Sequence, residues 1–567
     1  MRNRDVYAKD PAEQRLVNEG VAYVNDDTSS RAQTVLRYEL ETFVCDGQYA
    51  KGMLDILDTY LRNLSSGASQ QPGVWISGFF GSGKSHMAKM LRNLWEDVAF
   101  DDGATARGIV HLPQEIQDLF KELTTQGKRH GGLFAASGTL GASSRDQSVR
   151  LALLSVIFRA AGLPQQYPVA RFVMWLRDEG VLEQVREDLV AQGDDWQEEL
   201  DNFYVAESLH EALVRAKPKT FSSVEVCAET LGNLFPPTSD VSSDDMLKAI
   251  RQAISENDKL PLTLVVLDEV QQYIGTDGQR SIEVQEAVEA CCKGLGSRLM
   301  FIGTGQTAIT GTSNLARLQG RFTSRIELSD ADVDAVIRQV LLAKKPEAKT
   351  SVQQVMDNNV GEISRHLSES SIAHKQDDTQ HFAQDYPILP VRRRFWDAAL
   401  RVLDQTGTDS QLRGQLSLIH AAIKTNLDEP LGNIIAADYL YFNLSDKLLQ
   451  FRMLPRRLHD ATQRWRGGNE TEQLMARACA IVFLINKVAS TNTDLGLHPT
   501  LHNIADLLVD DLKAGSSSLR SQLPGLLDDC EFIIKVGDEY RIQTEESAAW
   551  NDAFLSHKST LGNATHQ

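Results

Sequence analysis

The stretch that decides the fold is Gly78-Phe79-Phe80-Gly81-Ser82-Gly83-Lys84-Ser85. It matches the pattern G-x-x-x-x-G-K-[ST] at every fixed position. The short β-branched and aromatic run Val74-Trp75-Ile76 precedes it, and Lys84–Trp95 follows with apolar residues at a helical period. The segment therefore predicts a strand, a glycine loop and a helix, which is the setting in which this motif cradles phosphate.

Each part of the loop has an expected role in binding a nucleotide. The glycines let successive backbone N–H groups point at phosphate oxygens, and the helix adds its positive amino end. We expect Lys84 to reach the β- and γ-phosphates and the Ser85 hydroxyl to bind Mg²⁺. A glycine turn without a ligand is the alternative. The residues expected to contact the nucleotide are Gly78, Phe79, Phe80, Gly81, Ser82, Gly83, Lys84, Ser85 and His86.

A second candidate segment follows the continuous apolar run Leu262–Leu267, which is typical of a strand buried on both faces of a parallel sheet. Asp268 and Glu269 come directly after it. Ligands of open parallel sheets bind at the carboxyl ends of the strands. We therefore expect Asp268 to hold Mg²⁺ together with Ser85, and Glu269 to polarise the attacking water. The alternative for this pair is an acidic helix cap.

Further candidates lie after the next predicted strand, Leu299–Gly303. Thr304-Gly305-Gln306 end that strand, so Gln306 or Thr304 could lie near the γ-phosphate, or the three residues could be a polar turn. Arg321, with Arg325 second, could act across a subunit interface on the transferring phosphoryl group. Either arginine could equally be solvated or in a surface ion pair.

Strands that alternate with helices favour an α/β sheet. Arg413 lies in an amphipathic helix predicted for Gln411–Lys424, and it could contact the nucleotide from a lid domain. Two predicted helices, Leu501–Leu512 and Leu519–Cys530, precede a hairpin signal at Gly537-Asp538, which suggests a winged helix. The predicted domains are an N-terminal mixed or helical region (1–70), a P-loop core (71–330) with a helical insertion at about 163–258, a helical lid region (331–495) and a winged-helix-like module (496–567).

Composition limits the classes of partner. The chain has 567 residues and a formal net charge of −19, from 58 Lys and Arg against 77 Asp and Glu. An acidic balance argues against coating of nucleic acid, although a local basic face could bind it. Arg392-Arg393-Arg394 and a second cluster of Arg456, Arg457, Arg464 and Arg466 could contact phosphate, or be solvated or paired with nearby acids.

Targeting and metal signals are weak. The apolar segment Leu474–Ile485 contains Arg477 and is interpreted as a buried helix, so no membrane partner is expected. Met1–Pro11 lacks the apolar run of a signal peptide. The six cysteines show no C-x-x-C pairing and the histidines no metal-ligand spacing, so we expect reduced thiols in a cytoplasmic protein without a metal cluster.

Several segments together resemble the BrxC/PglY family of P-loop proteins from BREX bacteriophage-defence systems. The segment that carries most of the resemblance is the extended loop Gly73–His86. The others are Leu267–Ile274, Thr304–Gln306, Gly320–Phe322, Tyr386–Pro390 and Tyr540–Glu545 with Trp550.

The resemblance implies an AAA+/STAND-like ATPase core with a helical lid and a winged helix, with ATP and Mg²⁺ as cofactors. It implies a cytoplasmic role beside a DNA methyltransferase and other defence proteins, and assembly into homo-oligomers. Family members are usually longer, so the chain resembles their N-terminal ATPase portion. The 184 positions between Lys84 and Asp268 exceed what a minimal AAA+ core needs, and the predicted insertion accounts for them.

The preferred hypothesis is a Mg²⁺-ATP-dependent ATPase that acts as an assembly or conformational switch in phage defence. One alternative is a nucleotide-gated scaffold with little turnover, which would be indifferent to Glu269→Gln. Another is a DNA-loading or translocating motor, which DNA-stimulated hydrolysis and a steep salt dependence of DNA binding would support.

Overall fold

The structure is a computed structural model that describes residues 1–14, 29–69, 71–78, 82–140, 147–403, 415–491 and 493–543. The chain divides into two compact units. One unit is Val21–Val336, and the other combines Met1–Gly20 with Ile337–Gln567. We call them the sheet unit and the helical unit.

The sheet unit is built on a parallel sheet of five strands among the residues that the structure describes. The strands are β1 (Gly73–Ser77), β2 (Leu133–Thr139), β3 (Leu262–Asp268), β4 (Leu299–Gly305) and β5 (Phe322–Glu327). Their order across the sheet is β2-β3-β4-β1-β5. Each neighbouring pair is parallel. The predicted parallel α/β sheet is confirmed.

Burial explains which strands were easy to predict. Every residue of β1, β3 and β4 is buried, so these inner strands show as continuous apolar runs. At the edge, β5 buries Phe322 and Ile326 and exposes others between them. Its apolar signal is therefore intermittent, and the predicted strand Ile326–Leu328 missed its first four residues.

Helices cover both faces of this sheet. One face packs on the helices of segments 30–65, 84–96 and 114–129, and the other on the helices of segments 149–160, 243–254 and 278–295. The helices described in the sheet unit are α1 (Ser30–Glu41), α2 (Gly47–Ser65), α3 (Lys84–Glu96), α4 (Ala106–Ile109), α5 (Gln114–Arg129), α6 (Val149–Ala160), α7 (Tyr167–Asp178), α8 (Leu182–Gln192), α9 (Trp196–Asp201), α10 (Glu207–Ala216), α11 (Val224–Leu234), α12 (Ser243–Ile254), α13 (Val270–Ile274), α14 (Gly278–Leu295), α15 (Ser313–Ala316) and α16 (Asp330–Val336).

The helices α7 to α11 surround a hydrophobic core of their own, with Phe172, Phe203 and Phe235 at its centre. The next helix, α12, returns to the sheet, where Met246 and Ile250 belong to the core shared with α6 and α14. The long connection from β2 to β3 therefore contains a separate helical cluster followed by one helix that covers the sheet.

The helical unit is described next. Its helices are α17 (Pro346–Asn358), α18 (Val360–Ile363), α19 (Phe382–Asp385), α20 (Pro390–Leu403), α21 (Gln415–Thr425), α22 (Tyr439–Gln450), α23 (Arg456–Arg466), α24 (Glu470–Thr491), α25 (Leu501–Leu508) and α26 (Ser517–Asp528). The strands β6 (Ile533–Val536) and β7 (Glu539–Ile542) form an antiparallel hairpin after them. The predicted hairpin at Gly537-Asp538 is confirmed.

The predicted helix Leu501–Leu512 ends four residues early, at Leu508. The backbone beyond it pairs with another segment: Ile434 donates to the Asp510 carbonyl at 2.7 Å, and Leu512 donates to the Gly432 carbonyl at 3.2 Å. Tertiary hydrogen bonds therefore replace the last predicted helical turn.

The helix α24 is the central helix of the helical unit. By length and composition it is the one described helix that could cross a membrane, but 56% of its most apolar window is buried within the protein. Arg477 on this helix donates to Asp438 at 3.1 Å and to Asp510 at 2.8 Å. These ion pairs and the burial are typical of a core helix. The length and apolar composition of α24 are therefore weak evidence for or against a membrane span.

Candidate functional site

The candidate site lies at the carboxyl ends of the strands, between β1 and β4. The connection after β1 leads to β2 at one edge of the sheet, and the connection after β4 leads to β5 at the other edge. Because the two connections leave in opposite directions, a crevice is expected between these strands. The glycine loop follows β1, Thr304 and Gly305 end β4, and Gln306 comes directly after it, so both predicted segments lie at this point of the sheet.

The loop is tightly constrained at Gly83, the residue before α3. Its φ of 87° lies in the left-handed region, and a Cβ there would lie 1.7 Å from the Tyr49 hydroxyl oxygen. Only glycine fits without displacing that ring. Tyr49 comes from α2 and donates to the Ser82 carbonyl at 2.9 Å. The Tyr49 side chain therefore packs against Gly83 and fixes the loop by its hydrogen bond to Ser82.

Lys84 and Ser85 occupy the first turn of α3 and are both partly exposed. The Lys84 ammonium donates to the Gly78 carbonyl at 2.9 Å, so the side chain lies back along the loop. A phosphate oxygen is charged and accepts hydrogen bonds more strongly than a carbonyl, so it can replace this partner. Phe79, Phe80 and Gly81 lie outside the described residues.

His86 was expected near the nucleotide, and the structure places its ring against Phe43, in the connection between α1 and α2. The ring centroids are 5.5 Å apart in an edge-on arrangement. Burial is the largest influence on this imidazole and lowers its pKa. The His86 side chain therefore contributes to the packing beneath α3, and its ring is held by that core.

Thr304 joins the ends of β3 and β4. Its hydroxyl donates to Oδ1 of the buried Asp268 and accepts from the Glu269 backbone N–H at 3.0 Å. Both acidic residues are therefore positioned by one side chain from the neighbouring strand. The structure shows Thr304 in polar contacts that link the carboxyl ends of β3 and β4, and a position near the γ-phosphate stays a prediction.

Glu269 has a left-handed backbone with φ of 59°, which is uncommon for a residue other than glycine. Such a conformation is held by its surroundings and is found often at functional sites. Glu269 stands at the amino end of α13, yet within the described residues its side chain makes no capping hydrogen bond there. The Glu269 side chain therefore does not cap α13.

The backbone that follows β4 is held by two side chains. The Gln271 side-chain oxygen on α13 accepts from the N–H groups of Gln306 at 2.7 Å and Thr307 at 3.0 Å. The Trp75 indole N–H donates to the Thr307 carbonyl at 3.1 Å. A Cβ on Gly305 would lie 2.3 Å from the Trp75 ring. The side chains of Gln271 and Trp75 therefore fix the backbone at Gln306 and Thr307.

The two arginines proposed to act across subunits lie on or before β5. Arg321 pairs with Glu289 on α14 at 2.6 Å, and its carbonyl accepts from Gly73 N–H at 2.7 Å. It is thus at the amino end of the strands, about 15 Å from the glycine loop by strand length. Arg325 is exposed on the edge strand. Neither joins the crevice of its own chain.

Sequence reasoning missed Tyr49, Gln271 and Trp75 as supports of the site. Tyr49 precedes Ser82 by 33 positions, and Gln271 precedes Gln306 by 35. Their partners are backbone atoms, which leave no residue-type signal in the sequence. The expected contact from Arg413 lies outside the described residues.

The arginine triplet on α20 is internal. Arg392 is fully buried and donates to the carbonyls of Ile435 and Asp506, while Arg394 pairs with Asp378 at 2.7 Å. Arg393 is 3.3 Å from Asp385. Arg393 and Arg394 are therefore partners of nearby acids, whereas Arg392 donates to backbone carbonyls. The second arginine cluster lies on α23, where Arg456, Arg457, Arg464 and Arg466 are exposed.

Comparison with known protein families returns no matching family model for this chain.

Proposed function

We propose that this protein binds Mg²⁺-ATP in the crevice between β1 and β4 and hydrolyses it, as an AAA+-type ATPase. The observation that carries the proposal is the convergence of the Lys84 loop with the Asp268–Thr304–Glu269 arrangement at one edge of a parallel sheet. Phosphate-binding loops and acidic residues are needed at the same edge for phosphoryl transfer to water.

Asp268 is proposed to act on Mg²⁺ through bound water. Neighbouring strands lie about 4.8 Å apart, and β4 separates β3 from β1, so the two strand ends are about 10 Å apart. Mg²⁺ usually keeps several of its waters, which suits a carboxylate at that separation from a Ser85-bound ion. Glu269, one residue further, is proposed to accept a proton from the attacking water.

The finer fold assignment is also a proposal. The helical unit is proposed to supply a helical lid, and α25, α26 and the β6–β7 hairpin to form a winged-helix module. The element order of two helices followed by a hairpin supports the latter. The order β2-β3-β4-β1-β5, with a strand between the glycine-loop strand and the acidic strand, supports the AAA+ assignment of the core.

The biological role rests on the resemblance alone. We propose a cytoplasmic, homo-oligomeric ATPase that works with a DNA methyltransferase and other components of a BREX-like phage-defence system, with possible contact to DNA. Arg321 is held by Glu289, so its use in a neighbouring subunit requires that ion pair to open, whereas Arg325 is already exposed. Separate Arg321→Ala and Arg325→Ala variants distinguish them by their turnover at high protein concentration.

The decisive experiment measures ATP turnover against protein concentration, with and without duplex DNA, for wild type and Glu269→Gln. Removal of a general base typically lowers the rate about 10²- to 10⁴-fold, while ATP affinity is retained. Glu286→Gln, an exposed change on α14, is the matched control and should leave turnover unchanged.

The outcomes separate three functions. Turnover that rises per subunit with concentration and is lost in Glu269→Gln supports an oligomeric ATPase. Turnover that rises with DNA, with a steep salt dependence, supports the motor. Equal, negligible turnover in wild type and Glu269→Gln with ATP still bound leaves the nucleotide-gated scaffold and removes the hydrolysis proposal.

A further inference from the structure

Three buried side chains of types that bind metals converge in the helical unit. Glu362 lies on α18, His366 in the turn that follows it, and Asp506 on α25. One candidate ligand atom from each lies within 4.8 Å of the others, and all three residues are buried. The sequence showed no metal-ligand spacing here, because Asp506 is far along the chain.

His366 is the most informative of the three. It is 1% exposed, and among the described residues neither ring nitrogen makes a hydrogen bond. Buried polar atoms nearly always have a partner, and leaving one without costs about 1–3 kcal/mol. A buried imidazole without hydrogen bonds indicates a place where a ligand binds one of its ring nitrogens.

The spacing of His366 and Glu362 fits a shared ion. The His366 Nε2 atom lies 3.5 Å from Oε1 of Glu362. Two ligand atoms bound to one tetrahedral zinc ion at about 2.0–2.1 Å are about 3.3–3.5 Å apart. The two atoms therefore already have the separation that joint coordination requires.

The carboxylates of Asp506 and Glu362 both accept hydrogen bonds that fix their orientation. Arg520 donates to Oδ1 of Asp506 at 2.8 Å, and Leu367 N–H donates to its Oδ2 at 3.3 Å. Ser516 N–H donates to Oε1 of Glu362 at 2.8 Å. Each carboxylate oxygen has a further lone pair. Metal-binding carboxylates are commonly held by such hydrogen bonds, which fix the direction of the remaining lone pairs.

These donors also define the alternative, a closed network of ion pairs around the two carboxylates. Arg520 opposes a cation by its charge and competes for Asp506. That network leaves His366 with one polar contact, from Nε2 to Glu362 at 3.5 Å, and neither ring nitrogen makes a hydrogen bond among the described residues. A bound ion would give the His366 Nε2 atom a partner at coordination distance.

We propose that Glu362, His366 and Asp506 bind one Zn²⁺ ion in the helical unit. One imidazole nitrogen with two carboxylate oxygens suits zinc better than Mg²⁺ or Ca²⁺, which favour oxygen ligands alone. Such an ion would tie α18 to α25, and the proposal is independent of ATP hydrolysis.

The test uses the full chain, stripped with a chelator and titrated with Zn²⁺ and separately with Co²⁺. We expect one Zn²⁺ per wild-type chain at micromolar affinity or tighter. His366→Asn should weaken binding by at least about 10-fold. His420→Asn is the control, because His420 is also buried in the helical unit but has a partner, the Pro11 carbonyl at 3.1 Å.

The cobalt form identifies the ligands. A visible d–d band without a thiolate-to-cobalt band in the near ultraviolet is expected, because no cysteine belongs to the site. Glu362→Gln provides a second variant if His366→Asn does not fold. A wild-type chain that binds no zinc at micromolar concentration, zinc binding unaltered in the variants, or a thiolate band would each overturn the proposal.

Discussion

Lys84 in the glycine loop and Arg392 in α20 make the same kind of contact in very different surroundings. Each donates to backbone carbonyls: Lys84 to Gly78, and Arg392 to Ile435, Asp506 and Val509. Lys84 is partly exposed and has a neutral partner that a charged phosphate can replace. Arg392 is fully buried and joins two separate segments. In the proposed site Lys84 can exchange its carbonyl acceptor for a phosphate oxygen, whereas the buried Arg392 keeps its carbonyl acceptors.

A third cation, Lys344 in the helical unit, sharpens the difference. Burial lowers the pKa of Lys344 to about 7 and that of Arg392 to about 10. At neutral pH the arginine stays charged and must be satisfied by fixed acceptors, whereas the lysine can release its proton. Lysine and arginine are therefore not equivalent in this interior.

The largest expected effect is on folding. Arg392→Met leaves the three carbonyl acceptors without their donor, and we expect the free energy of unfolding to fall by about 3–5 kcal/mol. Urea denaturation measures it. Arg401→Met, an exposed position on the same helix, should change it by less than about 0.5 kcal/mol. A loss below about 1 kcal/mol for Arg392→Met would show that the buried arginine is not structurally required.

The next effect is on ligand binding alone. Lys84→Met should weaken ATP binding about 100-fold, because charge-assisted hydrogen bonds contribute about 1.5–3 kcal/mol each. Its unfolding midpoint should remain close to that of wild type. Calorimetric titration with Mg²⁺-ATP tests this against Lys51→Met, an exposed change on α2. Unaltered ATP affinity in Lys84→Met would remove Lys84 from the proposed site.

The buried Lys344 should make the free energy of unfolding depend on pH. Its folded pKa of about 7 lies below its ordinary value of 10.5, so the unfolded chain binds the proton more tightly. The free energy of unfolding should therefore rise by about 2 kcal/mol between about pH 7 and pH 9. This contribution is lost as the pH falls towards 7, where the folded lysine takes up its proton.

Urea denaturation at several pH values checks this rise. Lys344→Met should remove it, whereas Lys349→Met, at an exposed position on α17, should retain it. If the slope of stability against pH is the same in Lys344→Met and wild type, a group other than Lys344 causes it.

The smallest effect concerns the support of the glycine loop. Tyr49→Phe removes the hydroxyl that binds the Ser82 carbonyl, and the loss of one hydrogen bond is worth about 1 kcal/mol. We expect ATP affinity to fall about 5-fold. Tyr38→Phe on α1 is the control, and equal affinity in Tyr49→Phe and wild type would mean that the loop keeps its shape without this contact.

The parts of the fold that sequence reasoning predicted share a local cause. The inner strands β3 and β4 are continuous apolar runs because both faces are buried, and the hairpin turns at Gly537 with a positive φ. The motif Gly78–Ser85 is contiguous, so its identity needed no tertiary information. The edge strand β5 and the end of α25 were imprecise, because one-sided burial and backbone pairing with another segment decided them.

Other features could not be predicted from residue types. The sequence left open whether Arg392-Arg393-Arg394 contact phosphate or are solvated or paired with acids, and only the acceptors around α20 show an internal network. The convergence of Glu362 and His366 with Asp506 depends on how α25 packs, which no spacing in the sequence shows.

By itself, the sequence determined the parallel α/β core and the place of the glycine loop within it, since strand burial and the loop's φ angles depend on residue type over short stretches. Tertiary structure decided the rest: that Thr304 orients Asp268 and Glu269, that Tyr49 binds the Ser82 carbonyl, and that Arg392 and Arg393 are buried. These relationships join atoms from separate segments, often backbone atoms that every residue carries. Only the packing of the folded chain makes them specific.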